Sequence, residues 1–143
     1  MINRTEKRSV LHVALRYPKD KKLMLNEVNV VEKVHSVLER VKSFSDAVRE
    51  GKFPGHTKKP LTDVVVIGIG GSYLSIEFVY EGLRFHPQGE KNSNGRRLRF
   101  LANVDPIDVK KALQNLDCET TLFIVNSKTF TTAETMLNAR TCR

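Results

Sequence analysis

The chain has little of several things that mark particular classes of protein. It contains no tryptophan, and its 2 cysteines, Cys118 and Cys142, stand far apart without a Cys-x-x-Cys spacing. That argues against a disulfide scaffold or a zinc site built on paired cysteines and favours a reducing, cytoplasmic compartment. Apolar runs such as Val64 to Ile67 are far shorter than the roughly 20 residues that cross a bilayer. No signal-peptide stretch opens the sequence either, so we expect a soluble protein with no membrane partner.

Neither the basic residues nor the histidines are clustered along the sequence. The net charge is +8, but lysine and arginine occur in scattered pairs, and no basic segment is interleaved with aromatic residues. This pattern predicts a surface that attracts small anions and no nucleic-acid partner. The 4 histidines are isolated from one another and from carboxylates at ligand spacing, so neither a metal nor another cofactor is expected. They are His12, His35, His56 and His86.

Residues 1–60 are predicted to form a helical amino-terminal segment followed by a connector. Thr5 is placed to cap a helix from Glu6 to Arg16. A longer helix is predicted from Asn26 onward, with Gly51 as its carboxyl-terminal stop. Its apolar positions at helical spacing are Val34, Val37, Leu38, Val41 and Val48.

Residues 61–143 repeat the order strand, turn, helix three times. The strands are predicted at Val64 to Ile67, Leu98 to Ala102 and Thr121 to Val125. This alternation is typical of an α/β fold with a parallel sheet and flanking helices, and we expect the flavodoxin-like strand order 2-1-3. The final helix stops at Arg143 without a capping glycine or asparagine, so the domain is expected to be incomplete and truncated at its carboxyl end.

The helices of these units carry recognisable caps. Asp105 followed by Pro106 is typical of a helix start, and Thr131 with Glu134 has the spacing of a capping box. The turn from Asn103 to Asp105 is therefore expected to be structural. Inward-facing positions are predicted at Ile76, Val79, Tyr80 and Leu83 in the first unit and at Val109, Ala112, Leu113 and Leu116 in the second.

Two short polar turns, each directly after a strand, carry the functional signal. The first is Gly68-Ile69-Gly70-Gly71-Ser72 and the second is Ser127-Lys128-Thr129-Phe130-Thr131-Thr132. A phosphate ester needs several donors converging on one small dianion, which glycine amides, hydroxyls and helix amino termini supply. If the strand order is 2-1-3, both turns face the same crevice, and together they predict one phosphate pocket.

Each turn taken alone has a purely structural interpretation. Gly68 to Ser72 could be a tight turn with Ser72 as helix cap, and the four hydroxyls of the second turn could serve turn and cap roles while Lys128 is merely exposed. The first turn also lacks the third glycine of a dinucleotide fingerprint and the Gly-Lys-Ser/Thr of a P-loop, which disfavours a nucleotide-binding module.

With the stretch from Asn3 to Arg16, the two turns resemble the glucose-6-phosphate isomerase family. That family has an Asn-x-Thr-Glu-x-Arg-Ala-Val-Leu-His-x-Ala-Leu-Arg stretch, then Gly-Ile-Gly-Gly-Ser after a strand, then Ser-Lys-Thr-Phe-Thr-Thr. The likeness covers nearly the whole chain. It implies the amino-terminal portion of such an enzyme, with residues 61–143 as part of its first sugar-isomerase (SIS) domain.

The resemblance further implies an isomerase that interconverts glucose 6-phosphate and fructose 6-phosphate through an enediol, without a metal, as a cytosolic homodimer. It gives substrate contacts to Gly71 and Ser72 and the phosphate loop to Ser127, Lys128, Thr129, Thr131 and Thr132. The family's glutamate base, arginine, ring-opening histidine and carboxyl-terminal lysine correspond to segments beyond Arg143. No catalytic residue is therefore assigned here, and the chain alone is expected to be inactive.

Several positions depart from the commonest family pattern, namely Tyr73, Ser75, Ile76 and Ala133. An alternative keeps the fold and the sugar-phosphate ligand but makes the chain a non-catalytic SIS regulatory domain. The amino-terminal stretch argues against that alternative, because simple sensor domains lack it.

Overall fold

A computed structural model describes residues 2–5 and 7–143. The chain forms two compact units, which divide between Asp46 and Ala47.

The first unit begins with a small hairpin where a helix was expected. Strand β1 (Ile2–Asn3) pairs antiparallel with β2 (Arg8–Ser9), and a 3-10 helix covers His12–Arg16. The Asn3 side chain accepts a hydrogen bond from Thr5 N at 3.0 Å, which makes a turn. The prediction of one helix from Glu6 to Arg16 capped by Thr5 is therefore wrong over residues 7–11, and only His12–Arg16 is helical, in 3-10 form. Glu6 lies outside the described residues.

The long helix starts later than its apolar spacing suggested. Strands β3 (Met24–Leu25) and β4 (Val28–Asn29) form a second small hairpin, and α1 covers Val30–Arg49. Asn26 and Glu27 have φ angles of 47° and 66°, which a right-handed helix does not allow. Gly51 has φ +71° and ends the helix as predicted.

The apolar positions of α1 divide into buried and exposed sets. Val31 and Val48 are buried, at 1% and 7% exposure, whereas the predicted positions Val37, Leu38 and Val41 are more than half exposed. Of these predicted positions Val48 is buried as expected, but helical spacing alone did not distinguish it from the exposed ones and did not identify Val31.

The second unit contains a three-stranded parallel sheet. Its strands are β5 (Asp63–Ile67), β6 (Arg97–Leu101) and β7 (Thr121–Val125), in the order β6-β5-β7. Asp63 is in register with Arg97 on one side and Thr121 on the other. The α/β class and the order 2-1-3 are confirmed, with strand boundaries within one residue of those predicted.

Four helices accompany the sheet. They are α2 (Gly71–Leu83), α3 (Pro87–Ser93), α4 (Pro106–Leu113) and α5 (Ala133–Thr141), with a 3-10 helix at Cys118–Thr120. The short α3 was not predicted; His86 caps its start and Asn94, with φ 49°, ends it.

The core lies between the sheet and α4. Val65, Ile67, Leu101 and Ala112 are buried together, and the other predicted residues of α4 and its following turn pack against them. In contrast, the predicted face of α2, including Ile76 and Leu83, lines an open, largely apolar groove of about 590 Å³. That face was expected to point inward, and Leu83 is instead 54% exposed.

The capping prediction holds at α4 and fails at α5. Asp105 accepts a hydrogen bond from Ile107 N at 2.7 Å. Thr132, not Thr131, is the cap residue of α5, and its side chain makes no capping bond. The Thr131 hydroxyl lies 2.7 Å from that of Thr129, so Thr131 belongs to the preceding turn.

An ion pair between a buried carboxylate and a half-exposed arginine joins β5 to β6 at the amino edge of the sheet. Arg97 Nε lies 2.6 Å from Asp63 Oδ1, and Arg97 NH2 donates to Asp63 Oδ2 at 2.9 Å. The Asp63 carboxylate is almost fully buried. The hydrogen bond from Arg97, reinforced by Thr62, holds the pKa of Asp63 below its usual range although burial acts to raise it.

Candidate phosphate site

The two polar turns lie side by side at the carboxyl edge of the sheet. β5 and β7 are direct neighbours, with Ile67 in register with Val125. Immediately after both strands end, Asn126 N donates to Ile67 O at 2.8 Å. The seven residues proposed from the sequence thus fall on two adjacent loops of one edge.

The first turn brings backbone amides to the start of α2. Gly70 has φ +57°, a left-handed conformation that favours glycine, and it precedes the first helical residue, Gly71. Gly71 is exposed and Ser72 is partly buried. The positive end of the helix dipole therefore lies at Gly71 and Ser72.

The second turn is organised by its own hydroxyls. Ser127 Oγ accepts a hydrogen bond from Phe130 N at 2.9 Å. Thr129 Oγ1 accepts from Thr131 N at 3.3 Å and lies 2.7 Å from Thr131 Oγ1. Because a hydroxyl has one donor and two acceptor positions, these contacts orient the hydroxyls and leave capacity for an anion.

Phe130, Lys128 and Thr132 complete this turn. Phe130 has φ 54°, an uncommon angle for a bulky residue, and its ring is 57% exposed. The Lys128 side chain is on the exposed side of the turn. Thr132 stands at the start of α5, so the dipole of a second helix also points to this edge.

Asn126 connects the two turns, and the sequence reasoning missed it. Its Nδ2 donates to Ser72 O at 2.7 Å, across 54 positions of the chain. An asparagine between a strand and a serine is common in loops, so its only sequence signal was its place directly before Ser127.

Gly68 allows the turns to approach. A Cβ at this position would lie 2.8 Å from Ser72 O and 3.2 Å from Asn126 O, and the residue is buried. Gly71 is different, since a Cβ there would meet open space. Gly68 is thus required for packing and Gly71 is not.

Tyr73, one of the departures from the family pattern, packs beside the site. Its ring meets Phe100 edge to face, with centroids 5.5 Å apart. The hydrogen bond from its hydroxyl to Glu77, together with burial and the charges of Glu77 and Asp108, raises the pKa of Tyr73 to about 12. The first turn of α2 is therefore packed against β6 by an aromatic side chain that stays protonated at neutral pH.

Across residues 2–5 and 7–143, no three histidine, cysteine, aspartate or glutamate side chains come together as a metal site. No helix in this part of the chain is both long and apolar enough to cross a membrane.

Comparison with known proteins places these features in a family. A sequence model described as Phosphoglucose isomerase matches residues 1–143. The chain is 56% identical over 142 residues to a protein named glucose-6-phosphate isomerase, cytosolic, from Arabidopsis thaliana, covering 99% of this chain and 25% of that protein. A relative from Clarkia mildrediae, named glucose-6-phosphate isomerase, cytosolic 1, is 58% identical over the same length and to the same extent of coverage.

The structure gives the same result. A crystal structure of a glucose-6-phosphate isomerase from Chlamydia trachomatis matches with a TM-score of 0.71 at 27% identity, over 96% of this chain and 24% of the other. The chain thus spans about a quarter of the length of these relatives. A match that runs through every residue of the sequence shows that the chain belongs to the phosphoglucose isomerase family.

Proposed function

We propose that this chain is the amino-terminal part of a glucose-6-phosphate isomerase and supplies the site that holds the phosphate of its substrate. The observation that carries the proposal is the adjacency of the two turns on β5 and β7, tied by Asn126. The proposed contacts are Gly71, Ser72, Ser127, Lys128, Thr129, Thr131 and Thr132.

The chemistry of the two turns suits a phosphate dianion. Helices α2 and α5 both begin at this edge and direct their positive ends to it. Each hydrogen bond to an ionised oxygen contributes roughly 1.5 to 3 kcal/mol, so a few of them suffice to hold a small phosphorylated sugar. The excess of basic residues, at net charge +8, adds a general attraction for anions.

The proposed reaction is the interconversion of glucose 6-phosphate and fructose 6-phosphate, a step of glycolysis and gluconeogenesis. Holding the phosphate fixes one end of the substrate, so that ring opening and proton transfer between neighbouring carbons occur at a defined distance. The groups that move protons are assigned to the rest of the polypeptide, in a cytosolic homodimer, without a metal. Residues 61–143 are proposed as part of its first SIS domain, after an amino-terminal segment at 1–60.

The direct test places this chain in a working isomerase. Residues 2–143 replace the matching segment of the Arabidopsis thaliana cytosolic enzyme, to which they are 56% identical. We expect the chimera to isomerise glucose 6-phosphate in a coupled assay and the 143-residue chain alone to be inactive. Turnover by the chain alone at the rate of the chimera would contradict the proposed division of the site.

A double substitution tests the phosphate loop within that chimera. Ser127→Ala with Thr129→Ala should weaken sugar-phosphate binding by roughly 3 kcal/mol, because two hydroxyls near the anion are lost. Thr141→Ala is the matched control, since the Thr141 hydroxyl bonds Leu137 O within α5, away from the turns. Calorimetry with glucose 6-phosphate, fructose 6-phosphate, NAD and ATP separates the outcomes. Binding of NAD or ATP alone, or unchanged sugar-phosphate affinity in the double variant, would refute the proposal.

A further inference from the structure

A hydrogen bond between the two turns lies outside the proposed phosphate contacts. Asn126 is fixed on one side by its backbone, which donates to Ile67 O at 2.8 Å just past the last paired residues of β5 and β7. On the other side its Nδ2 donates to Ser72 O at 2.7 Å. We propose that Asn126 is a positioning residue, which sets the separation between the first turn of α2 and the Ser127 turn and so shapes the phosphate pocket.

The bond acts on the backbone of Ser72 and leaves its hydroxyl available. Ser72 O belongs to the first turn of α2, which carries the proposed contacts Gly71 and Ser72. The hydrogen bond from Asn126 to this backbone carbonyl therefore orients the first turn of α2 as a whole and not a single side chain. The bond is partly buried, so water competes for it less than for the exposed hydroxyl contacts of the second turn.

Gly68 provides independent support from the opposite side of the same contact. Its backbone runs so close to Ser72 O and Asn126 O that a Cβ would lie 2.8 Å and 3.2 Å from them. The amide of Asn126 draws the turns together, and the missing side chain of Gly68 leaves room for them. Asn126 and Gly68 thus both determine the separation between the two turns.

The consequence for binding follows from the short range of hydrogen bonds. A phosphate held by both turns needs each donor at about 2.7 to 3.2 Å, so even a small displacement of one turn weakens several contacts together. Asn126 is not placed in contact with the ligand. Its removal should therefore lower substrate affinity and leave the chemical step unchanged.

The chain offers a matched control for this effect. Asn138 Nδ2 donates to Asn103 O at 2.9 Å, which is also a long-range amide-to-carbonyl bond, and Asn138 is only 2% exposed. It holds the turn after β6, on the far side of β5 from the Ser127 turn. Asn126→Ala and Asn138→Ala therefore remove the same kind of bond from turns with and without the proposed ligand.

The experiment rests on the proposed function and uses the full-length polypeptide that contains residues 1–143, with steady-state kinetics for glucose 6-phosphate and titration with inorganic phosphate. For Asn126→Ala we expect KM and the phosphate Kd to rise about three- to tenfold with kcat within about twofold, as for one lost hydrogen bond. Asn138→Ala should lower the melting temperature and leave KM and Kd unchanged. Gly68→Ala should raise KM in the same manner as Asn126→Ala, because its added Cβ would collide with Ser72 O and force the turns apart.

The outcomes are distinguishable. Unchanged KM and phosphate Kd in Asn126→Ala, or equal changes in Asn126→Ala and Asn138→Ala, would overturn the positioning role. If Asn126→Ala fails to fold, Asn126→Ser keeps a polar side chain that is too short to make the bond, and the same prediction applies to it. If the full-length polypeptide without substitutions has no isomerase activity, the proposed function fails, and the phosphate titration decides the role of Asn126 by itself.

Discussion

Strands β6 and β7 lie on opposite sides of β5, and the turns that follow them differ in their chemistry. After β6, two carboxylates accept hydrogen bonds from backbone amides. Asp108 Oδ2 accepts from Ala102 N at 3.1 Å and from Asn103 N at 3.0 Å, and Asp105 caps α4. After β7, the residues from Asn126 to Thr132 include no carboxylate, and hydroxyls bond to each other and to the turn's own amides.

The two turns therefore differ in what their hydrogen-bond donors bind. We call the turn after β6 the closed turn, because an internal carboxylate fills its donors, and the turn after β7 the open turn, because it contains no carboxylate. In the turn after β6, the chain supplies its own anion, since Asp108 occupies backbone donors near the amino end of α4. In the turn after β7, neutral hydroxyls fill that role, so an external anion meets no negative charge there. The sequence distinguishes them by aspartate in one turn and serine and threonine in the other.

The largest expected effect comes from giving the open turn a charge of its own. Thr129→Asp places a carboxylate where it can accept from Thr131 N, and it repels an incoming phosphate. Because like charges in contact cost several kcal/mol, we expect sugar-phosphate affinity to fall by more than about 100-fold. Calorimetry measures this, with Thr129→Asn as the neutral control of similar shape. Equal losses in both variants would assign the effect to packing instead of charge.

Next in size is the removal of the internal anion from the closed turn. Asp108→Ala leaves the amides of Ala102 and Asn103 without their acceptor, which should lower the free energy of unfolding by about 2 kcal/mol. Urea unfolding of this chain checks the value. Asp108→Asn should lose less, because its amide oxygen can still accept. A changed KM for sugar phosphate in the chimera would show that this turn takes part in binding.

The two helix starts give a smaller contrast. Asp105 makes a capping bond at 2.7 Å and Thr132 makes none. Asp105→Ala should therefore cost about 1 kcal/mol of stability, and Thr132→Ala clearly less. Thr132→Ala should instead reduce sugar-phosphate affinity. If both variants lose equal stability and neither affects binding, Thr132 is only a structural residue.

The smallest effect concerns the pH dependence of stability. It arises at the amino edge of the sheet, where Asp63 of β5 pairs with Arg97 of β6. The pKa of Asp63 is lowered in the folded state, so its stabilisation is complete above the ordinary carboxyl value of about 3.9 and is lost as the pH falls through the lowered pKa. Asp63→Asn should flatten the dependence of stability on pH in that acid window. Acid titration followed by circular dichroism tests this, and an unchanged profile would refute it.

Much of the second unit could be predicted from local sequence. The parallel sheet followed from the alternation of strands and helices, whereas the order 2-1-3 was expected only by analogy with flavodoxin-like folds. Asp105-Pro106 located the start of α4 because both residues act within one turn of chain. The positions of the two polar turns were likewise predictable, since each follows directly after a strand and β5 and β7 end at the same edge. Their binding of phosphate stays a prediction.

Features decided by particular side-chain hydrogen bonds, some local and some long-range, were not predictable. Thr131 and Glu134 had capping-box spacing, but the Thr129 hydroxyl bonds Thr131, and the helix starts later. Asn126 and Asn138 act on carbonyls 54 and 35 positions away. The helix expected after Thr5 is replaced by a turn, because the Asn3 side chain bonds the Thr5 amide, a local competition that propensity alone does not decide.

The position of β5 at the centre of the sheet has a consequence for biosynthesis. A ribosome makes this strand first, yet its partners at Arg97 and Thr121 follow only after two further helix-containing segments. During translation the apolar run Val64 to Ile67 therefore emerges with both edges unpaired, which is a state that chaperones recognise. The pocket proposed above forms only after Asn126 has left the ribosome and can bond Ser72 O. A stalled chain that ends before β7 would therefore lack the second turn of the proposed site.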